Sequence, residues 1–250
     1  MATNEPPPVP PGAPPPPPPT SPNVDRWRDL KWSCFAVYAA LGATAIAVVY
    51  ALVTQIEQRS EVSDLGSFGS IPDLGRLQEL DDRIDDLNTA FLALALITGV
   101  TFIVWMWRAA KNNAALGRSQ PRFGPGWAIG GWLIPLANLV IPVLIMQDLW
   151  RGSDASIPRG DSRWKIGDRS VLVGFWWGLL LFGRVMIGAG GATINQGSLD
   201  DLKSGVELEI VGSLCTLAAV VLAVHVVRKI TQRQQECLRA QQAPPPPPGS

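Results

Sequence analysis

The sequence is poor in charge and in the side chains that carry chemistry. Only 17% of its 250 residues are Asp, Glu, Lys or Arg, against about a quarter in a typical soluble domain. It has one histidine, His225, and three cysteines, Cys34, Cys215 and Cys237, which are odd in number, far apart and without C-x-x-C spacing. A zinc site or disulfide framework is therefore not expected, nor is any cofactor. The chain contains no HExxH, GxSxG or phosphate-binding loop and no paired acidic residues in an apolar run, so catalysis lacks its usual constituents and an enzyme is not expected. Formal net charge is zero, which gives no reason to expect a nucleic-acid partner.

What is present is apolar sequence, at 47% of residues, gathered into runs. Four runs, at about 33–54, 88–107, 170–192 and 206–227, lack proline and reach the roughly 20 residues needed to cross a bilayer. A fifth, about 126–146, reads GWAIGGWLIPLANLVIPVLIM and is interrupted by Pro135, Asn138 and Pro142. Proline removes a backbone donor and clashes with the preceding turn, so a straight lipid-facing helix is disfavoured there. No basic residue precedes Arg26, so a cleaved signal peptide is not expected. The ends differ from the middle: residues 5–22 are nearly all proline, and Pro244 to Pro248 form a second run. Such sequence favours polyproline II over a packed core. The organisation expected is a Pro-rich tail (1–25), a polytopic membrane domain (26–232) and a tail ending in proline (233–250).

Lysine and arginine cluster at 26–31, 108–122, 151–169 and 228–239, whereas the connections 55–87 and 193–205 carry only Arg59, Arg76, Arg83 and Lys203. Under the rule that cytoplasmic loops hold the basic excess, both flanks of 126–146 lie on one side. The expectation is an all-α membrane protein with four spanning helices, a re-entrant or interfacial segment at 126–146, and both termini in the cytoplasm; five spanning helices is the alternative. In the connection before the second span, Leu77, Leu80, Ile84 and Leu87 recur at helical spacing, which predicts an amphipathic extension of that span.

Few polar residues lie at membrane depth. Arg184 is charged and deep in the third span, and such a residue is costly unless paired or snorkelling; Glu207 and Glu209 at the start of the next span are its expected partners. Arg108 and Asn112 share a helical face, and an Arg108–Asp148 pair is expected to tie the second span to the broken segment. Asn138, between two prolines, is the candidate to satisfy broken backbone or to line a cavity. Gly126, Trp127, Pro135, Pro142 and Trp150 frame that segment. Trp127, Trp132, Trp150 and Trp164 are placed for an aromatic belt, and Gly126-x3-Gly130 and Gly174-x3-Gly178 permit close helix approach. His225 reads as interfacial.

The runs WMWRAAKNNAALG (105–117) and PGWAIGGWLIPLANLVIPVLIMQDLWRGSD (125–154) resemble a bacterial membrane-protein family catalogued as domain of unknown function 4328. The matching positions include Trp105, Arg108, Asn112, Pro125, Gly126, Trp127, Pro135, Asn138, Leu139, Pro142 and Trp150. The resemblance implies a multi-spanning membrane domain without an assigned activity or ligand. Function therefore rests on the residues. The leading expectation is a scaffold or regulatory component of the cell membrane whose Pro-rich tails recruit a cytoplasmic protein. The alternative is a small-solute or ion translocator acting as a homo-oligomer.

Overall fold

The structure, a computed structural model, describes residues 27–68, 74–118, 120–196 and 198–242, with side chains described outside 61–88. The proline tails and the side chains of Leu77, Leu80, Ile84 and Leu87 lie outside the described residues. Seven helices carry the described chain, with no strand among the described residues: α1 (Lys31–Phe68), α2 (Leu74–Ala115), α3 (Trp127–Leu133), α4 (Pro135–Asn138), α5 (Ile141–Gly152), α6 (Val171–Ile194) and α7 (Leu199–Gln242). A 3₁₀ turn at Ser162–Ile166 precedes α6.

Four of these are long and apolar enough to cross a membrane, over Lys31–Ser60, Thr89–Ala115, Val171–Ile194 and Leu199–Gln242. Helices are the open-chain solution in lipid because each closes its own backbone hydrogen bonds. At about 1.5 Å per residue, the 44 residues of α7 extend about 66 Å, roughly twice a hydrocarbon core of about 30 Å. The helix therefore carries its basic C-terminal third well beyond any bilayer it spans.

The fifth apolar run is not one helix. It breaks at Ile134, which is extended, and again at Val140, with Pro135 opening α4 and Pro142 in the first turn of α5. Proline suits the first turn because a missing donor is not needed there. A continuous fifth span is thus replaced by a bent hairpin of three short helices.

α7 is the spine, packed along α6 on one side and α1 on the other, while α2 packs on α1 and the α3–α5 hairpin fills the space between α2 and α6. The α6–α7 contact is a glycine seam. A Cβ on Gly183 would lie 2.9 Å from the Gly212 carbonyl, one on Gly212 2.8 Å from the Gly183 carbonyl, and one on Gly190 2.6 Å from the Gly205 carbonyl. Glycines seven apart on each helix thus let two backbones touch. The spacings singled out in sequence are not this contact: Gly126, Gly174 and Gly178 face open space, and Gly130 meets only the ring of Trp127.

Aromatic side chains fill the junction of α2, α3 and α6. Phe102 stacks near Trp105, Trp132 and Trp176 with ring centroids 5.4–6.0 Å apart, and Trp132 meets Trp177 edge-on at 5.9 Å. Trp132 therefore packs half-buried against the core, and Trp164, 1% exposed, is buried within the 3₁₀ turn that precedes α6. Trp127 remains exposed, and Trp150 lies under the Arg233 guanidinium at 4.3 Å.

Candidate functional site

At the basic end of the bundle, α1, α2, α5 and α7 converge on a buried network of uncharged polar groups. Its centre is Asn112, fully buried. The Asn112 Oδ1 accepts from the Arg28 backbone N–H at 2.8 Å, and its Nδ2 donates to the Arg28 carbonyl at 2.9 Å and toward Gln234 Oε1 at 3.4 Å. One carboxamide therefore holds the segment entering α1 as a strand partner would, while reaching α7. Gln234, also fully buried, donates to the Ala109 carbonyl at 2.9 Å and to Asn113 Oδ1 at 3.0 Å. Asn113 Nδ2 in turn donates to the Asp148 carbonyl on α5 at 3.3 Å. One turn of α7 deeper, the Trp105 indole donates to Thr231 Oγ1 at 3.2 Å, and Cys34 Sγ lies 3.3 Å from the same hydroxyl. Each group spends its donors and acceptors on another element, as polar atoms away from water must.

Arg118 is the second anchor. α2 ends in a Schellman arrangement, with Arg118 N–H on the Asn113 carbonyl, Gly117 N–H on the Ala114 carbonyl, and Gly117 at φ 78°. That left-handed residue suits glycine and turns Arg118 inward, where it is 2% exposed. Its guanidinium donates to the carbonyls of Gly152, Ile157, Pro158 and Asp154 at 2.7–2.9 Å. The guanidinium thereby caps α5 and gathers the following loop. Both ends of the hairpin are thus tied to the same end of α2. Gln147 adds a reciprocal pair with Ser170, donating to its carbonyl at 2.9 Å and accepting from its N–H at 2.8 Å.

The positions picked from sequence fall into this frame unevenly. Asn112 is central, and Arg108 shares its face, but Arg108 donates to the Asp29 carbonyl and does not pair with Asp148. Asp148 has Arg151 at 4.0 Å; burial pushes its carboxyl up, against the opposing pull of Arg122, Arg151 and Arg169. The work expected of an Arg108–Asp148 pair is done by Asn113 and Arg118 instead. Glu207 pairs with Arg59 at 2.7 Å and Glu209, although its stem lies against Gly190 of α6, accepts from Gln55 at 3.4 Å; their partners are thus on α1 and not Arg184, which is exposed on α6. The geometry differs from expectation because α7 lies between α1 and α6, and the rotation of α7 presents these carboxylates to α1. Asn138 is half-buried; the broken backbone is met by Trp177, whose indole donates to the Leu139 carbonyl at 2.9 Å. His225 is exposed and bonds within its own helix to the Val221 carbonyl.

A cavity of about 40 Å³ opens beside this network, lined in part by Asn113, Arg118, Phe123, Asp148 and Trp164. The space fits a few water molecules, each needing about 10–15 Å³. Trp164 Nε1, Arg108 Nε and Arg151 Nε are buried without a partner among the described residues. No group of three or more His, Cys, Asp or Glu side chains that could hold a metal occurs among the described residues. The network's chemistry is thus that of a clamp, built from amides, carbonyls and one guanidinium.

The sequence places Asn113 and Gln147 at the inner ends of the second span and of the broken segment without naming their partners, and sequence reasoning missed the roles of Arg118, Gln234 and Trp177. Asn113 and Arg118 sit in or beside the WMWRAAKNNAALG run, which was a usable signal; Gln234 lies in a polar helix end that looks solvated. Comparison with curated proteins and with solved structures finds no match. A family model matches residues 81–232, which span α2 from its first third through the hairpin and α6 to Thr231 and its neighbour on α7. On that match the chain belongs to the family described as Domain of unknown function (DUF4328).

Proposed function

We propose that this membrane protein is a scaffold that presents its two Pro-rich tails side by side on the cytoplasmic face of the cell membrane. The observation that carries this reading is the double hydrogen bond of Asn112 to Arg28 together with its contact to Gln234. It pins the residues just after the first tail to the helix that ends just before the second. Proline runs are ligands for aromatic-lined grooves, and two ligands rooted close together raise avidity by about 10²–10⁴ when one partner engages both. The basic residues on the same end of the bundle agree with a cytoplasmic placement.

The test uses full-length protein in nanodiscs and a set of purified polyproline-binding domains, singly and as tandem pairs. Tandem domains should bind far more tightly than single ones, with the advantage lost when either 1–25 or 243–250 is deleted. Binding that is absent, or indifferent to both deletions, would sink the scaffold reading. Solute flux through reconstituted protein that survives tail removal and disappears with Arg184→Ala or Asn138→Ala would establish the translocator instead.

A further inference from the structure

The hairpin carries an apolar surface that the other described residues leave uncovered. Leu133 and Leu136 are 74% and 81% exposed, and Ile134, Leu139 and Val140 about half exposed, all around the breaks between α3, α4 and α5. From residue 123 to 147 the sequence contains no charged residue, while Arg122 and Arg151 stand at its two feet. Those feet return to one place, since Arg118 on the loop after α2 bonds the carbonyls that end α5.

The backbone at the tip is suited to a medium without water. The Ile134 carbonyl accepts from Asn138 at 2.8 Å, Leu136 from Leu139 at 3.3 Å, Ala137 from Val140 at 3.0 Å and Val140 from Leu144 at 3.2 Å. The Leu139 carbonyl takes the Trp177 indole at 2.9 Å. Pro135 and Pro142 have no N–H to leave unmet. In lipid a backbone polar group has to be met from within the protein, and these five carbonyls are. Exposed polar loops have no such need, because water meets their carbonyls.

Depth follows from length. The seven residues of α3 rise about 10 Å at 1.5 Å each, which is less than one half of a hydrocarbon core of about 30 Å. We propose that the α3–α5 hairpin is a lipid-binding element whose tip, Leu133 to Val140, is inserted in the acyl region of the leaflet at the basic end of the bundle. Arg122 and Arg151 at its feet lie at the level of that leaflet's phosphates. The occupant of the apolar surface is therefore phospholipid, and the segment anchors the polar clamp of α2, α5 and α7 at a fixed depth.

The experiment uses the intact wild-type chain in phospholipid vesicles. Photoreactive lipids with the diazirine at mid-acyl chain are incorporated in one leaflet at a time, and hydroxyl-radical oxidation reports water. Peptides containing Leu133–Val140 should take mid-acyl label from the leaflet on the Arg122 and Arg151 side as strongly as the exposed Val100 of α2 does, and should escape oxidation. A second reading comes from bimane on Leu136→Cys in a variant lacking the three native cysteines: iodide quenching should be lost relative to the same label on Ser156→Cys. Oxidation or iodide quenching equal to that at Ser156 would overturn the proposal by placing the tip in water. Label from the opposite leaflet would overturn it by showing a crossing, and protection from both lipid and water probes would overturn it by showing a protein cover such as a second copy.

Discussion

Replacing Gly212 with alanine should weaken the bundle, whereas the same change at Gly178 should not. A Cβ on Gly212 would sit 2.8 Å from the Gly183 carbonyl and 2.9 Å from the Ile187 nitrogen, both backbone atoms, while ordinary contact begins near 3.4 Å. The helices must therefore part by about 0.6 Å along a seam that otherwise excludes lipid, and overpacking of this kind costs about 1–3 kcal/mol. Gly178 faces open space, so its Cβ meets nothing among the described residues. Both substitutions gain the same helix propensity, up to about 1 kcal/mol, so their difference isolates the contact. That difference should be about 1–3 kcal/mol, roughly 5- to 150-fold in the folding equilibrium. The assay is reversible unfolding in mixed micelles followed by tryptophan fluorescence. The double variant Gly183→Ala with Gly212→Ala should cost less than the sum of the singles, because the two share one contact. Equal stability of the Gly178 and Gly212 variants would refute a backbone-to-backbone seam.

Four further outcomes follow from the network. Arg118→Met should leave four carbonyls unmet and cost about 2–4 kcal/mol, read as accelerated proteolysis between 153 and 161. Asn112→Leu should release the segment at Arg28, so that trypsin cuts after Arg28 faster than in the wild type while α7 stays protected. Trp177→Phe keeps an aromatic ring but, without the indole N–H, strands the Leu139 carbonyl, at about 1–3 kcal/mol, and faster amide exchange in 134–144 reports it. The Asp154 carboxyl is held below its ordinary range, first by the Ser156 hydroxyl and then by the Ser156 N–H. A depressed carboxylate contributes stability that is present above its unfolded value near 3.9 and lost as pH falls through the lower folded value. Protection of the Ser156 amide, corrected for intrinsic exchange, should therefore hold from neutral pH down to about 4 and fail below it; Asp154→Asn should abolish that acid step.

The spanning helices were legible because lipid imposes a single demand, twenty apolar residues without proline, and sequence displays it directly. The interruption at 126–146 was legible for the same reason, since Pro135 and Pro142 forbid one continuous helix. Partners were not. Arg118 stands in a run of basic residues that marks topology, and nothing local distinguishes a guanidinium that caps α5 from one in solvent. Glu207 and Glu209 were assigned to α6 because neighbours in sequence are usually neighbours in space, yet α7 also packs on α1, and Arg59 and Gln55 meet them there. The glycine seam was hidden by its period: Gly183 and Gly190 face Gly212 and Gly205 at spacings of seven, whereas attention falls on spacings of four. Gln234 was hidden because a polar residue on a helix end looks solvated until the neighbouring helix is known.

The measurement that bears most directly on the proposed display of both tails from one cytoplasmic face is cysteine accessibility in intact cells. Single cysteines at Ser156, Ser198 and Ser250, in a chain stripped of Cys34, Cys215 and Cys237, would be treated with a membrane-impermeant maleimide. The account predicts reaction at 198 alone in intact cells, and at 156 and 250 after permeabilisation. Reaction at 156 or 250 without permeabilisation would contradict it, because the hairpin feet and the second tail would then lie outside.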